Sequence, residues 1–226
     1  MIARNLVLAI SALSLAACNA GPNPRDRYGR FLQPVAQPSK VVATELAFAR
    51  AAREDGQWTA FDEYAADGAL IFGRNGAIEA KPWLKTLEDP AAAVSWQPHR
   101  LWSSCDGSIA VTQGAFEDPE GQVGTFNTVW QRQRDGDYKY VFDFGFPQDV
   151  APEAPELVQT AVAACEKSVD VGEPDSTIPL NLSRDGSLAW GFQLVGEGER
   201  RYVVWLATDA GWEQVVNIAQ PAGAAE

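Results

Sequence analysis

The sequence predicts an α+β domain, and three observations predict it. Apolar residues recur at helical spacing from Val41 to Leu87, they recur every second residue from Val94 to Phe146, and turn-forming dipeptides separate the later runs. Helices followed by an antiparallel meander cover one face of the sheet that the meander makes. Taken in order, Val42, Leu46, Ala49 and Arg53 mark a first helix, and Gly56 stops it. A second, short helix carries Trp58, Phe61 and Tyr64 and ends near Asp67-Gly68. Residues 69–72 (Ala-Leu-Ile-Phe) make an extended run. Residues 76–87 read as a third helix, with Pro82 in its first turn and Trp83, Leu84 and Leu87 as packing residues.

Four strands follow, at 94–103, 108–116, 124–133 and 138–146, with tight turns at Asp106-Gly107 and Asp135-Gly136-Asp137. Pro147, Pro152 and Pro155 mark a linker, and a short helical piece is expected to end near Cys165. A second β-rich section has one strand entered from Asp185-Gly186, a turn at Gly196-Glu197-Gly198, and further strands at 201–207 and 212–218. Three strands make a marginal core by themselves, so they are expected to pack on the first domain. No internal repeat stands out.

The N-terminus has a different logic. Arg4 precedes a ten-residue apolar run at 6–15, too short to cross a bilayer as a helix, and Leu15-Ala16-Ala17-Cys18 closes it. That ending resembles the bacterial lipobox, which implies a signal peptide over 1–17 and lipidation of Cys18. Asn19, where aspartate would retain a lipoprotein at the inner membrane, implies the outer membrane of the bacterial envelope. Residues 18–39 then form the lipidated cysteine and a Pro-rich tether, whose Arg25, Arg27 and Arg30 face only Asp26. This basic segment suits anionic headgroups, so the lipid bilayer is the first expected partner. The remaining divisions are a domain over 40–148, a linker and short helix over 149–166, and a β-rich extension over 167–226.

Composition narrows the chemistry. Thirty acidic residues against eighteen basic give a net charge of −12 over 226 residues, which argues against nucleic acid. His99 is the single histidine, so no multi-histidine metal site can form, and no GxSxG, HExxH or phosphate-loop spacing occurs. No metal or cofactor is expected. Once Cys18 is set aside, Cys105 and Cys165 remain; an oxidising compartment allows a disulfide, and two separate thiols fit the spacing equally.

Residues 40–146 resemble the SnoaL-like branch of the nuclear transport factor 2-like superfamily. The resemblance is carried by Phe48-Ala49-Arg50-Ala51-Ala52-Arg53-Glu54-Asp55-Gly56-Gln57-Trp58, by Trp96-Gln97-Pro98, and by 106–114, 124–133 and 141–145. It implies a cone, in which a curved antiparallel sheet wraps against N-terminal helices around a pocket, and it admits pairing as a homodimer. Members include isomerases, cyclases, dehydratases and non-catalytic binding modules, so fold alone assigns no activity.

Candidate site residues follow from position. Asp143 is an acid inside an aromatic strand; strict alternation puts Tyr138, Tyr140, Phe142, Phe144 and Phe146 on one face and Asp143 on the other. A desolvated Asp143 in a pocket could move protons, as the aspartate base of ketosteroid isomerase does on this fold. His99 and Tyr64 are the candidates to assist it. Alternation sets His99 with Ser95, Gln97 and Leu101, opposite Trp96, Arg100 and Trp102. Trp58, Trp83, Thr128 and Trp130 are candidate pocket residues for a small apolar ligand. Of Thr112 and Gln113, and of Asn127 and Thr128, only one member each can face a pocket. The resulting expectation is an envelope lipoprotein that binds a small apolar ligand or an envelope partner; the alternatives are a cofactor-independent proton-transfer enzyme and an assembly protein acting through residues 151–226.

Overall fold

A computed structural model describes residues 35–165, 174–196 and 198–221. The leader, Cys18, most of the tether and Glu197 therefore lie outside the described residues.

Helix α1 (Pro38–Glu54) begins on a proline, whose fixed φ suits a first helical turn. Its buried stripe is Val41, Glu45, Phe48, Ala49 and Ala52. This is rotated from the Val42–Leu46–Ala49–Arg53 stripe that apolar spacing suggests, and Leu46 is 48% exposed. Phe48 outweighs Leu46 because it meets five aromatic rings within about one layer of packing. Gly56, at φ 117°, separates α1 from α2 (Gln57–Tyr64). A Cβ there would collide with the Asp89 carboxylate, which accepts hydrogen bonds from the backbone N–H groups of Trp58 and Thr59 and from the Thr59 hydroxyl. Asp89 thus caps α2 from a distant loop, an anion on the positive end of the helix.

Strands β1 (Ala65–Gly73) and β2 (Gly76–Glu79) form a hairpin, and α3 is confined to Ala80–Leu84. The helix expected over 76–87 is shortened because Gly76 takes φ 112° and residues 76–79 pair with β1. The meander follows as β3 (Ser95–Ser103), β4 (Ile109–Glu117), β5 (Val123–Arg132) and β6 (Tyr138–Pro147). All three of its pairings are antiparallel, as expected. Strands β1 and β7 (Gln159–Val162) join it in parallel to β6 and β3, which makes the seven-stranded sheet mixed, in the order β2-β1-β6-β5-β4-β3-β7. No helix forms before Cys165: that segment is β7, which covers the edge β3 would otherwise leave unpaired.

A second sheet holds β8 (Asn181–Leu182), β9 (Leu188–Val195), β10 (Glu199–Thr208) and β11 (Gly211–Gln220), in the order β11-β10-β9-β8. It packs on the large sheet, as its small size demands. Two cores result. One lies between helices and sheet and gathers Phe48, Leu101, Trp130, Tyr138 and Tyr140; the other lies between the two sheets and gathers Trp102, Val111, Val129, Phe142, Phe144, Trp190 and Tyr202.

Two bulges divide residues between these cores. The β5–β6 register shifts between Val129 and Trp130, leaving Val141 unpaired, so Tyr138 and Tyr140 face the helices while Phe142, Phe144 and Phe146 face the second sheet. The five aromatics therefore do not share a face: an extra residue reverses the alternation. The β3–β4 register shifts likewise at His99, so Trp96 faces the helices and Trp102 faces the second sheet, although even spacing places them together.

The sheets are also joined by a repeat that is too short to stand out in the sequence. Ser104-Cys105-Asp106-Gly107-Ser108 and Ser183-Arg184-Asp185-Gly186-Ser187 fold as equivalent turns. In each, the first serine hydroxyl donates to the aspartate, and the glycine N–H donates to the first serine carbonyl. The turns then clasp reciprocally: Cys105 N–H donates to Ser187 Oγ (2.9 Å) and Arg184 N–H to Ser108 Oγ (3.0 Å). The Cys105–Cys165 disulfide forms beside this clasp.

Candidate functional site

A cavity of about 270 Å³ opens between the helices and the large sheet. Its aromatic walls come from Phe48 of α1, Trp58 and Phe61 of α2, Trp83 of α3 and Trp96 of β3, with Phe116 and Phe126 from β4 and β5. Thr128 and Asp143 line it from the facing strands β5 and β6, where they are direct cross-strand partners. The Thr128 hydroxyl donates to Asp143 Oδ2 at 2.8 Å.

Asp143 reaches the cavity because of the Val141 bulge, which sends its aromatic neighbours the other way. Its carboxyl is half-buried among apolar groups. That desolvation, opposed by the Thr128 hydrogen bond and reinforced by the negative charge of Glu45, pushes its pKa from an ordinary 3.8 up to about 7.

Glu45 is the residue that periodicity missed. It is fully buried, and its carboxyl accepts from Trp96 Nε1 (2.7 Å), Thr112 Oγ1 (2.5 Å) and Trp130 Nε1 (3.0 Å). Burial raises its pKa and the three donors draw it back in part. The signal available in the sequence was an acid between Val41 and Phe48 on one helical stripe. Trp96 lines the cavity with its ring and holds Glu45 with its N–H, so the second carboxyl stands behind the aromatic wall. Gln57 was missed as well; it lines the cavity while its Oε1 accepts the Val94 N–H.

The other expected residues are distributed as follows. Trp58, Trp83 and Thr128 line the cavity. Trp130 is fully buried behind it as a donor to Glu45 and Thr112. Tyr64 does not line it; the ring stacks on Phe48 at 5.0 Å, with the Lys139 ammonium 5.6 Å from its centroid. His99, at the β3 bulge, opens on a separate polar groove with Arg100, Gln113 and Thr125, and its Nε2 finds no protein partner. Burial, then the Arg100 charge, push its pKa down. Neither Tyr64 nor His99 is therefore brought to Asp143. Of the paired polar residues, Thr112 and Thr128 face the helices, whereas Gln113 and Asn127 bond each other on the opposite face. Among the described residues no three His, Cys, Asp or Glu side chains converge as metal ligands, and no helix is long and apolar enough to cross a membrane.

No family model and no curated protein matches the chain. Solved structures do. A ketosteroid isomerase-like protein from Parabacteroides distasonis is 14% identical, covering 52% of this chain and 98% of that one at a TM-score of 0.39. Nuclear transport factor 2 from Cryptosporidium parvum is 10% identical, covering 50% and 98% at 0.37. A protein of unknown function with a cystatin-like fold from Methylobium petroleophilum is 12% identical, covering 55% and 84% at 0.37. The chemistry below rests on this chain's own residues.

Proposed function

We propose that the cone binds a small, largely apolar ligand bearing one polar group, which Asp143 and Thr128 receive. The observation that carries this is the cavity itself: aromatic walls on several elements, with its polar side chains limited to Gln57, Thr128 and Asp143 and the indole edges. Concave, aromatic-lined sites with few placed polar groups are how proteins hold small molecules. A volume near 270 Å³ suits a ligand of one or two rings.

The test is occupancy. A Cβ added at Gly145, which lines the cavity, meets only ordinary contacts, so a branched chain such as Gly145→Leu starts without a backbone clash and extends into the space. Native mass spectrometry of the protein is expected to show a retained small mass in the wild type that Gly145→Leu loses. Equal occupancy in both would sink the reading.

A second reading is proton transfer with Asp143 as base, favoured by its pKa near 7, where a base is poised to take and return a proton at neutral pH. It has the weaker support, since Tyr64 and His99 lie outside the cavity lining and an assisting donor would have to be Gln57, Thr128 or an indole.

We further propose, from the Leu15-Ala16-Ala17-Cys18 tetrapeptide, that the domains are held at the bacterial envelope by a lipid on Cys18. The Cys105–Cys165 disulfide suits such an oxidising compartment. Labelled palmitate should enter the protein in growing cells and be lost on Cys18→Ser; label retained by the variant would rule the anchor out.

A further inference from the structure

The cavity is more than apolar. Its rings stand at steep angles to one another, as walls rather than as a stack. Trp58 and Trp83 are 5.6 Å apart at 65°, Trp58 and Phe61 5.6 Å at 67°, and Phe48 and Trp96 4.9 Å at 71°. The angles are those of edge-to-face pairs, and these rings line the cavity together with Asp143; the face of each ring is the negative pole of its quadrupole. Among the residues lining the cavity, Asp143 carries the one ionisable side chain, and its charge is negative. No lysine or arginine lines it to neutralise that charge.

The wall is also polarised from behind. Trp96 donates its indole N–H to the buried Glu45 carboxyl, and hydrogen bonding to that acceptor fixes the ring in the wall and polarises it. Trp130 and Thr112 hold the same carboxyl in place from the sheet side. Ring faces and Asp143 thus both favour a positive charge in the cavity and disfavour a negative one.

We infer that the ligand of this pocket is an organic cation, an amine or quaternary ammonium carrying an apolar group, with its nitrogen among the Trp58, Phe61, Trp83 and Trp96 rings and Asp143 as counter-ion. This rests on the ligand-binding reading above and adds the sign of the ligand's charge. Cation–π recognition needs desolvated ring faces and a cation more weakly hydrated than sodium or lysine ammonium, which alkylated nitrogen supplies. Neutral apolar ligands would gain the contact area but leave the Asp143 carboxylate unpaired, which costs affinity.

The probe pair is benzyltrimethylammonium and neopentylbenzene, its uncharged carbon isostere. Each is titrated into the full-length chain at pH 8 and 0.15 M salt, conditions that screen the acidic surface, with indole fluorescence as the readout. The cation is expected to bind about tenfold tighter or better than the isostere. Asp143→Asn should remove most of that preference, weakening the cation while the isostere binds as tightly as before or tighter. Trp58→Leu should weaken the cation more than the isostere, with far-ultraviolet circular dichroism confirming both folds. Equal or tighter binding of the isostere overturns the cation inference and leaves the cavity reading standing. Binding of neither overturns both. A cation preference that survives Asp143→Asn in a folded variant places the charge site elsewhere and overturns the inference too.

Discussion

Asp143 has its charge held in an apolar wall, and that has a thermodynamic signature apart from any ligand. Its pKa is about 7 in the folded protein and near the ordinary 3.8 in the unfolded chain. Between those values the folded state holds a proton that the unfolded state has released, so stability falls as pH rises from about 4 to about 7. Above that window the ionised carboxylate costs the fold on the order of 1–3 kcal/mol, after discounting for its opening onto the cavity. Asp143→Asn keeps an acceptor for the Thr128 hydroxyl and removes the titration. Urea unfolding should therefore find the variant more stable than wild type at pH 8 and nearly equal at pH 4. Parallel curves across that range would refute a desolvated Asp143. Glu45 has a raised pKa as well and leaves a residual slope of the same sign in the variant. Asp143 was legible in the sequence because aspartate is out of place in an aromatic strand. Glu45 was not, because an acid on a helix is ordinarily solvated, and nothing local reveals that Trp96, Thr112 and Trp130 converge on it from 51, 67 and 85 residues away.

Among the elements, the meander was the most legible part. Alternation and Asp-Gly turns placed its four strands to within about a residue or two of their observed ends. What alternation could not read was the two bulges, since an unpaired residue is chemically ordinary and only its partner strand identifies it. His99 and Val141 each reverse the face of the residues beyond them on their strand, so two local events turned Trp102 and the Phe142–Phe144–Phe146 set toward a second core. The same limit hid β7, whose Gln159-Thr160-Ala161-Val162 has no apolar alternation and is a strand only because β3 offers a free edge. The paired Ser-x-Asp-Gly-Ser turns were visible as letters but too short to count as a repeat; their meaning lies in the hydrogen bonds that cross between them.

The whole molecule depends on its C-terminal sheet more than the sequence suggests. From sequence, the strands of residues 167–226 are expected to pack on the first domain, since three strands make a marginal core alone. The structure makes them the cover of the large sheet's second face: Val111, Val129, Phe142 and Phe144 are each fully buried there, against Leu188, Trp190, Tyr202 and Val204. Exposing Phe72, Val111, Val129, Phe142, Phe144 and Phe146 would cost on the order of 10 kcal/mol at about 1.5–3 kcal/mol for each buried side chain. That equals the entire stability of an ordinary domain. A chain truncated after Gln148 also loses β7, the Cys105–Cys165 disulfide and the turn clasp, so nothing compensates. It should be recovered as aggregate, or as an expanded species that binds a hydrophobic dye and lacks a cooperative thermal transition. A soluble, cooperatively melting truncated monomer would show that the extension is dispensable to the cone. The expected outcome instead makes the extension part of the site: the Asp143 strand is fixed on one side by the cavity and on the other by Phe142 and Phe144 seated on Tyr202. The rigidity of the pocket's charged wall is thus supplied by the second sheet.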